Sequence, residues 1–343
     1  MMTTGVLLVN LGTPNSPSPR DVKRYLTEFL TDGRVIDLPL VRRNLLVRGI
    51  IIPKRYKKSA ALYQSIWNQD GSPLLMHGKK VEGLLQEKLG EGYRVKLAMR
   101  YQNPSIKEGL SALTGCQKLI IFPMFPQYAS ATTGSVHQKV FETLSKWAII
   151  PEVRFISQYP NHPNLIEAFA KRGEERDLES YDHFVFSYHG LPQRQILKGD
   201  QKEVCLKQKD CCLNNPTCYA SQCFATTREI TKKLGIPSEM WSHTYQSRLG
   251  KTPWIEPYTD VVLRNLAIKK KKRVLVFCPS FVADCLETLE EIGSQYRQEF
   301  QNSGGETLDL VKGLNDHPKW IETIESLIHD NTSRASFRIP SKC

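Results

Sequence analysis

What this 343-residue chain lacks narrows its class before any motif is read. Its first residues, MMTTGVLLVNLGTPN, carry no basic segment ahead of an apolar one and no apolar run of spanning length. A secretory leader and a membrane-spanning helix each require one, so the expectation is a cytosolic protein. Zinc-finger and RNP spacings are missing too. The formal charge of +12, from 47 Lys and Arg against 35 Asp and Glu, is therefore not expected to serve nucleic acid. It suits an acidic membrane surface or a carboxylate-bearing small molecule. Basic residues vanish altogether from Val274 to Tyr296, so acids in that stretch have no local cation.

What is present starts with a hydrophobic fraction of 40%, enough for two cores in a chain of this length. Apolar runs of strand composition at 6–10, 93–101 and 118–122 alternate with amphipathic stretches at 20–30, 74–89, 106–113 and 136–146. That is the pattern of a parallel sheet with covering helices. It begins again near Val153, with strands at 153–158, 183–188, 241–246 and 274–277, and helices at 164–171, 224–234, 259–266 and from Val282. Three pairs resemble each other: VLLVNLGTP with FVFSYHGLP, VKLAMRY with WSHTYQSR, and KLIIFPMFPQYASATTG with RVLVFCPSFVADCLET. The expected fold is α/β, two copies of one unit with strand ends lining a cleft. The boundaries expected are 1–152 and 153–330, with a cysteine-rich insert at 198–223 and a disordered polar tail at 331–343.

Within DHFVFSYHGLPQR, the strand stops at Gly190 and Pro192, which leaves His189 at its carboxyl end, where open α/β sheets hold ligands. A histidine that merely ends a core strand is the alternative. In VADCLETLEEIGSQY, a 3.6-residue helix puts Val282, Leu286, Leu289, Gly293 and Tyr296 on one face and Asp284, Glu287 and Glu291 on the other. With no lysine or arginine nearby, those acids read as a cation path or proton relay, with an ordinary solvated face the alternative. Aromatic and polar groups recur at other strand ends, at 99–101, 126–128 and 245–248, with Trp254 beyond. Together with the basic, apolar segment Leu40 to Lys58 they suit a large flat apolar ligand with acidic substituents. That segment could be a cleft lip or a transient contact with an acidic bilayer.

The segments LVNLGTP, EFLTDGRV, GSPLL, MRYQNPS, FPQYASATTGS, SYHGLP, TYQSRLGKTPWIEPYTD and ADCLETLEEI, in that order over nearly the whole chain, resemble ferrochelatases. The resemblance implies two Rossmann-like domains and insertion of ferrous iron into a porphyrin, the last step of haem synthesis. It implies that His189 binds the incoming metal and accepts pyrrole protons, with Glu287 as its partner and Glu291 continuing the acidic path. Leu11, Ile36, Tyr128 and Trp254 are implied at the macrocycle, with Arg34, Arg100 and Tyr101 at its propionates or polar substituents. Members acting on coproporphyrin carry tyrosine where this chain has Leu11, so protoporphyrin IX is the expected acceptor. Cys285 stands where some members carry histidine, and no role of that histidine transfers. The alternatives are a coproporphyrin ferrochelatase, a chelatase for another tetrapyrrole, and a non-catalytic haem-binding protein.

Five of the nine cysteines, Cys205, Cys211, Cys212, Cys218 and Cys223, follow C-x5-C-C-x5-C-x4-C. No C-x-x-C knuckle of structural zinc occurs among them. Four thiolates on a long loop can hold a two-iron two-sulfur cluster, as some ferrochelatases do. Cys205, Cys212, Cys218 and Cys223 are favoured, with Cys211 the spare; zinc or plain thiols are the alternatives.

Overall fold

The computed structural model describes residues 3–208, 211–250 and 252–330, apart from the side chains of 213 and 214. The expected tail at 331–343, with Cys343, lies outside the described residues. Two compact units form. The first takes Met1–Phe125, Ala129–Ser157 and Ile324–His329, and the second includes Pro126–Tyr128 and Gln158–Thr323.

In the first unit β1 (Thr4–Gly12), α1 (Pro19–Leu30), α2 (Leu40–Leu46), α3 (Ile52–Ile66), α4 (Pro73–Leu89), β2 (Tyr93–Tyr101), α5 (Ile106–Ser111), β3 (Lys118–Pro123), α6 (Ser135–Leu144) and β4 (Glu152–Phe155) follow in order. The four strands are parallel in the order β2-β1-β3-β4. Val6, Leu7, Leu8 and Val9 are wholly buried, the unbroken apolar run of a strand covered on both faces. Local signals start the helices: Ser18 caps α1 through the Asp21 N–H ahead of Pro19, and Ser105 and Glu108 close a capping box on α5. Leu7, Val9 and Ala98 pack with Ile106, Leu110, Val136 and Val140 on one side of the sheet. Each of the Leu, Ile and Val side chains there contributes about 1.5–3 kcal/mol by its burial.

One expectation changes here, and one segment without an assigned structure gains one. The strand near Val153 was assigned to the second half, yet it pairs with β3 and closes the first sheet. A four-residue edge strand carries no sequence record of its partner. The mixed segment after Leu38 is helical from Leu40 through Ile66, with a π-helical stretch at Val47–Ile51 joining α2 to α3. Leu40, Val41 and Leu45 lie exposed on it, which breaks the amphipathic count that identifies helices.

In the second unit α7 (Pro163–Glu174), β5 (His183–His189), α8 (Gln193–Gly199), α9 (Cys211–Asn214), α10 (Tyr219–Leu234), β6 (Trp241–Gln246), α11 (Thr259–Ile268), β7 (Arg273–Phe277), α12 (Arg297–Asn302), β8 (Thr307–Leu310) and the start of α13 (Pro318–His329), whose residues from Ile324 on count with the first unit, follow. Its strands are parallel in the equivalent order, β6-β5-β7-β8. The expected α/β class with parallel sheets and covering helices is what both units show. Ahead of α12 lies a ten-residue π-helical stretch, Glu287–Tyr296. The helix expected from Val282 thus starts later, because Asp284 is turned inward: its carboxylate accepts from Asn315 Nδ2 at 2.7 Å, Gly313 N–H at 3.1 Å and Thr288 Oγ1 at 3.2 Å. It anchors the helix entrance and is not part of an exposed acidic row.

Candidate functional site

β5 carries His189 to the carboxyl edge of the second sheet, beside Gln246 on β6. The strand stops because Gly190 turns the backbone there; its N–H bonds Gln246 O at 2.9 Å, and a Cβ on Gly190 would press on that same oxygen at 3.0 Å and on the Trp254 ring at 3.2 Å. His189 Nδ1 lies 2.7 Å from the Gly190 carbonyl. A carbonyl oxygen only accepts, so Nδ1 carries the hydrogen, and in the neutral ring Nε2 is the nitrogen with the lone pair. The Trp254 and Phe281 rings stand 6.3 and 6.4 Å from the imidazole, centroid to centroid. Ser280 Oγ accepts from the His189 N–H at 3.4 Å.

Gln246 links this histidine to the acids. Its Nε2 donates to the Glu287 carbonyl at 2.9 Å and to Glu291 Oε2 at 3.0 Å, while its Oε1 accepts from buried Ser187 at 2.7 Å. Glu291 also accepts from Ser247 N–H at 2.9 Å, Ser247 Oγ at 2.5 Å and Tyr296 Oη at 2.9 Å. All of these donors are neutral, so the carboxylate is held in place and its charge left uncompensated. Burial, then the nearby Glu291 charge, pushes the Tyr296 hydroxyl well above its ordinary value and keeps it a donor. Burial, then the Glu287 carboxylate, likewise raises the Cys285 thiol, which stays neutral. The Glu291 carboxylate and the Glu287 main chain are thus tied to the strand neighbour of His189. An imidazole nitrogen and a carboxylate are groups that can take a proton or bind a divalent cation, although among the described residues no three His, Cys, Asp or Glu side chains are gathered into a metal-holding group. Sequence reasoning singled out His189, Glu287 and Glu291 but put Tyr296 on the opposite face and missed Ser187; a buried serine in an apolar strand was the available signal.

In the first unit three expected porphyrin contacts converge on Asp32, whose role was not anticipated. Asp32 Oδ2 accepts from Arg100 Nη2 at 2.6 Å, Tyr101 Oη at 2.8 Å and Ser135 Oγ at 2.6 Å, and Oδ1 from the Arg34 N–H at 2.7 Å. Burial alone would push this carboxyl up, but the Ser135 hydroxyl, the Arg34 amide and the Arg100 guanidinium outweigh it and hold it below the ordinary carboxylate value. Arg34 aims elsewhere, Nε to Gln138 at 2.6 Å and Nη1 to Ser130 at 3.0 Å. Ile36 packs with Leu30, Val47 and Ile52, and Leu11 is partly exposed just before Gly12. Of the remaining two, Tyr128 belongs to the second unit, its N–H held by Gln222 Oε1 at 2.8 Å, and Trp254 lies beside His189.

The cysteine insert is organised by Asp200, which accepts from Cys205 N–H at 2.6 Å and Asn215 Nδ2 at 2.9 Å. Cys205 and Cys223 are buried, and Cys211, Cys212 and Cys218 partly so, all as free thiols. Burial, then the neighbouring Cys218, pushes Cys205 up to about 12; burial, then Cys211 and Cys218, does the same to Cys212. Cys223 is raised by burial first and then by Cys218 and Cys212. The thiols are therefore neighbours, although among the described residues no three His, Cys, Asp or Glu side chains are gathered into a metal-holding group.

A family model described as ferrochelatase matches residues 3–332. A ferrochelatase of Legionella pneumophila is 45% identical over 330 residues, covering 96% of this chain and 99% of the relative. One of Coxiella burnetii is 43% identical over 330 residues, covering 94% and 92%. Among solved structures, SirB from Bacillus subtilis with Fe3+ aligns with a TM-score of 0.53 at 11% identity, covering 99% of this chain and 100% of that one. At that identity the likeness shows the fold alone.

Proposed function

This chain belongs to the ferrochelatase family, and on that premise we propose that it inserts Fe2+ into protoporphyrin IX, with His189 as the proton acceptor and Glu287 and Glu291 as the cation path. Insertion removes two pyrrole N–H protons as the ion enters. His189 Nε2 takes the first, since the Gly190 carbonyl keeps the other ring nitrogen protonated. Glu291, fixed by neutral donors only, attracts the ion and passes it along the π-helical stretch, and Glu287 accepts the second proton. By the family resemblance, Trp254 and Tyr128 are read as the macrocycle contacts of the second unit, and Leu11 and Ile36, with Arg34 for the propionates, as those of the first. Arg100 and Tyr101, already taken by Asp32, hold that loop in shape for it. Leu11 in place of tyrosine supports protoporphyrin over coproporphyrin. The observation that carries the reading is His189, its Nδ1 against the Gly190 carbonyl, at the end of β5 beside Gln246, whose amide holds the Glu291 carboxylate. Anaerobic incubation with Fe2+ and protoporphyrin IX should yield haem, and His189→Ala should slow it by about 10³-fold with porphyrin binding kept. Turnover of His189→Ala near the parent rate, or equal turnover of coproporphyrin III, would overturn the respective assignment.

The insert is read as the seat of a two-iron two-sulfur cluster on Cys205, Cys212, Cys218 and Cys223, Cys211 being the spare. What supports it is that Cys205, Cys212 and Cys223 are each raised first by burial and further by the neighbouring Cys218, a set of close thiols that thiophilic iron suits. Such a cluster would cross-link the insert; metal insertion transfers no electron. Visible absorbance and labile sulfide in anaerobically purified protein test it. The protein is further proposed to work in the cytoplasm and to touch acidic membrane through α2, where Leu40, Val41 and Leu45 are 65%, 70% and 69% exposed beside Arg42 and Arg48. No helix among the described residues is long and apolar enough to cross a membrane. Flotation with anionic but not neutral vesicles is the expected result.

A further inference from the structure

The first turn of α10 touches both the cysteine insert and the main chain of two residues of the proposed site. It begins at Tyr219, directly after Cys218, and carries Gln222 and Cys223 one turn on. Tyr219 is buried, and its Oη donates to the main-chain carbonyl of His189 at 2.8 Å. That carbonyl belongs to the peptide ending at Gly190, whose N–H is already bound to Gln246 O and whose own carbonyl fixes the imidazole tautomer. The backbone path through these two residues sets where Nε2 points, and Tyr219 is its anchor on the α10 side. Gln222, wholly buried, holds the Tyr128 N–H with Oε1 and donates Nε2 to Gln158 Oε1 at 2.6 Å and Pro216 O at 3.3 Å.

The insert grips the same turn from the other direction. Ser221 Oγ donates to the Cys212 carbonyl at 2.6 Å. The Gln222 and Cys218 amides close on the Cys218 and Asn215 carbonyls at 3.0 Å, and Asn215 is tied with Cys205 to Asp200. Three side chains on successive or near-successive positions thus face three destinations: His189, the insert and Tyr128. Packing alone would not require a buried hydroxyl and a buried amide there, since each must find partners to avoid a desolvation cost.

We propose that Tyr219 and Gln222 are positioning residues, Tyr219 aiming the His189 imidazole and Gln222 placing Tyr128, so that the order of the cysteine insert is transmitted to both. The inference rests on the metal-insertion reading of the site. Full-length Tyr219→Phe, Gln222→Met and Ser221→Ala, with wild type, are compared for Zn2+ insertion into protoporphyrin IX and for the 15N signals of the His189 ring, assigned by their loss in His189→Ala. Tyr219→Phe lowers kcat about 10-fold and leaves the KM for porphyrin alone, because the misaim acts on the nitrogen that takes the pyrrole proton. Gln222→Met raises the KM for porphyrin and spares kcat. The His189 ring signals shift in Tyr219→Phe and Ser221→Ala and stay in Gln222→Met. A wild-type chain that inserts no metal overturns the insertion reading. Wild-type kinetics and unmoved ring signals in Tyr219→Phe overturn this one, as does a uniform loss in both variants that follows their folded fraction. Unmoved signals in Ser221→Ala remove the insert from the linkage.

Discussion

Gly12 ends β1 with φ at +125°, and a Cβ there would run into the Tyr101 main-chain oxygen on the paired strand. The backbone conformation and the close approach both demand glycine, which accounts for the Gly of the first Gly-Thr-Pro. Gly12→Ala should cost about 3 kcal/mol or more, from left-region strain plus separation of the edge strand β2 from β1. A urea midpoint within error of wild type would contradict it. Asp32 is a second such residue, with only 9% of its side chain exposed and Arg100 14% exposed. Asp32→Asn keeps the shape, removes the charge and turns a donor toward one of four donors already in place. The expected loss is about 2–4 kcal/mol in urea unfolding, because a guanidinium is left buried without its counter-charge.

The π-helical stretch Glu287–Tyr296 shows at the level of an element why the site is built as it is. Its i→i+5 winding brings the Tyr296 hydroxyl to Glu291, five positions earlier, a pair that 3.6-residue spacing turns away from each other. Glu291→Gln would point an amide hydrogen at the donors of Gln246, Ser247 or Tyr296. A rise of about 10-fold in the KM for metal is expected, with little change for porphyrin, checked by steady-state Zn2+ insertion. The same stretch marks the limit of what the sequence discloses. Strand and helix alternation was readable from apolar runs and breakers, and His189 fell at the end of β5 as its Gly-Leu-Pro stop implies. The acids were found by type and by the missing basic residues. Their geometry was not, because a wider helical period leaves the same residues in the same order. Asp284 looked like one more acid of the row, and only tertiary partners at 313 and 315 reveal it as an anchor. Asp32 was hidden for the same reason, its donors arriving from β2 and α6.

For the whole molecule, the repeated strand–loop motifs anticipated that the two units share one strand order, since in parallel sheets each crossover repeats the same local build. A property no motif announces is how the protein meets acid. His183 and His243 in the second unit are pushed down by burial to about 4 and about 3, and His137 in the first unit, by burial and then by Arg34, to about 4. Folded, these rings stay neutral while pH falls through 6.5; unfolded, they take up protons from that point on. The unfolded state therefore binds more protons throughout the window from about pH 6.5 to 4, and stability declines as pH falls, by on the order of 1.4 kcal/mol per pH unit for each ring. Above pH 6.5 these groups leave stability flat. Two of the three lie in the second unit, so it should weaken more steeply than the first. Hydrogen exchange at pH 7 and pH 5, corrected for intrinsic rates, should show protection falling more in β5, β6 and β7 than in β1, β2 and β3. Equal losses in the two sheets, or none, would mean that the three rings are not held neutral.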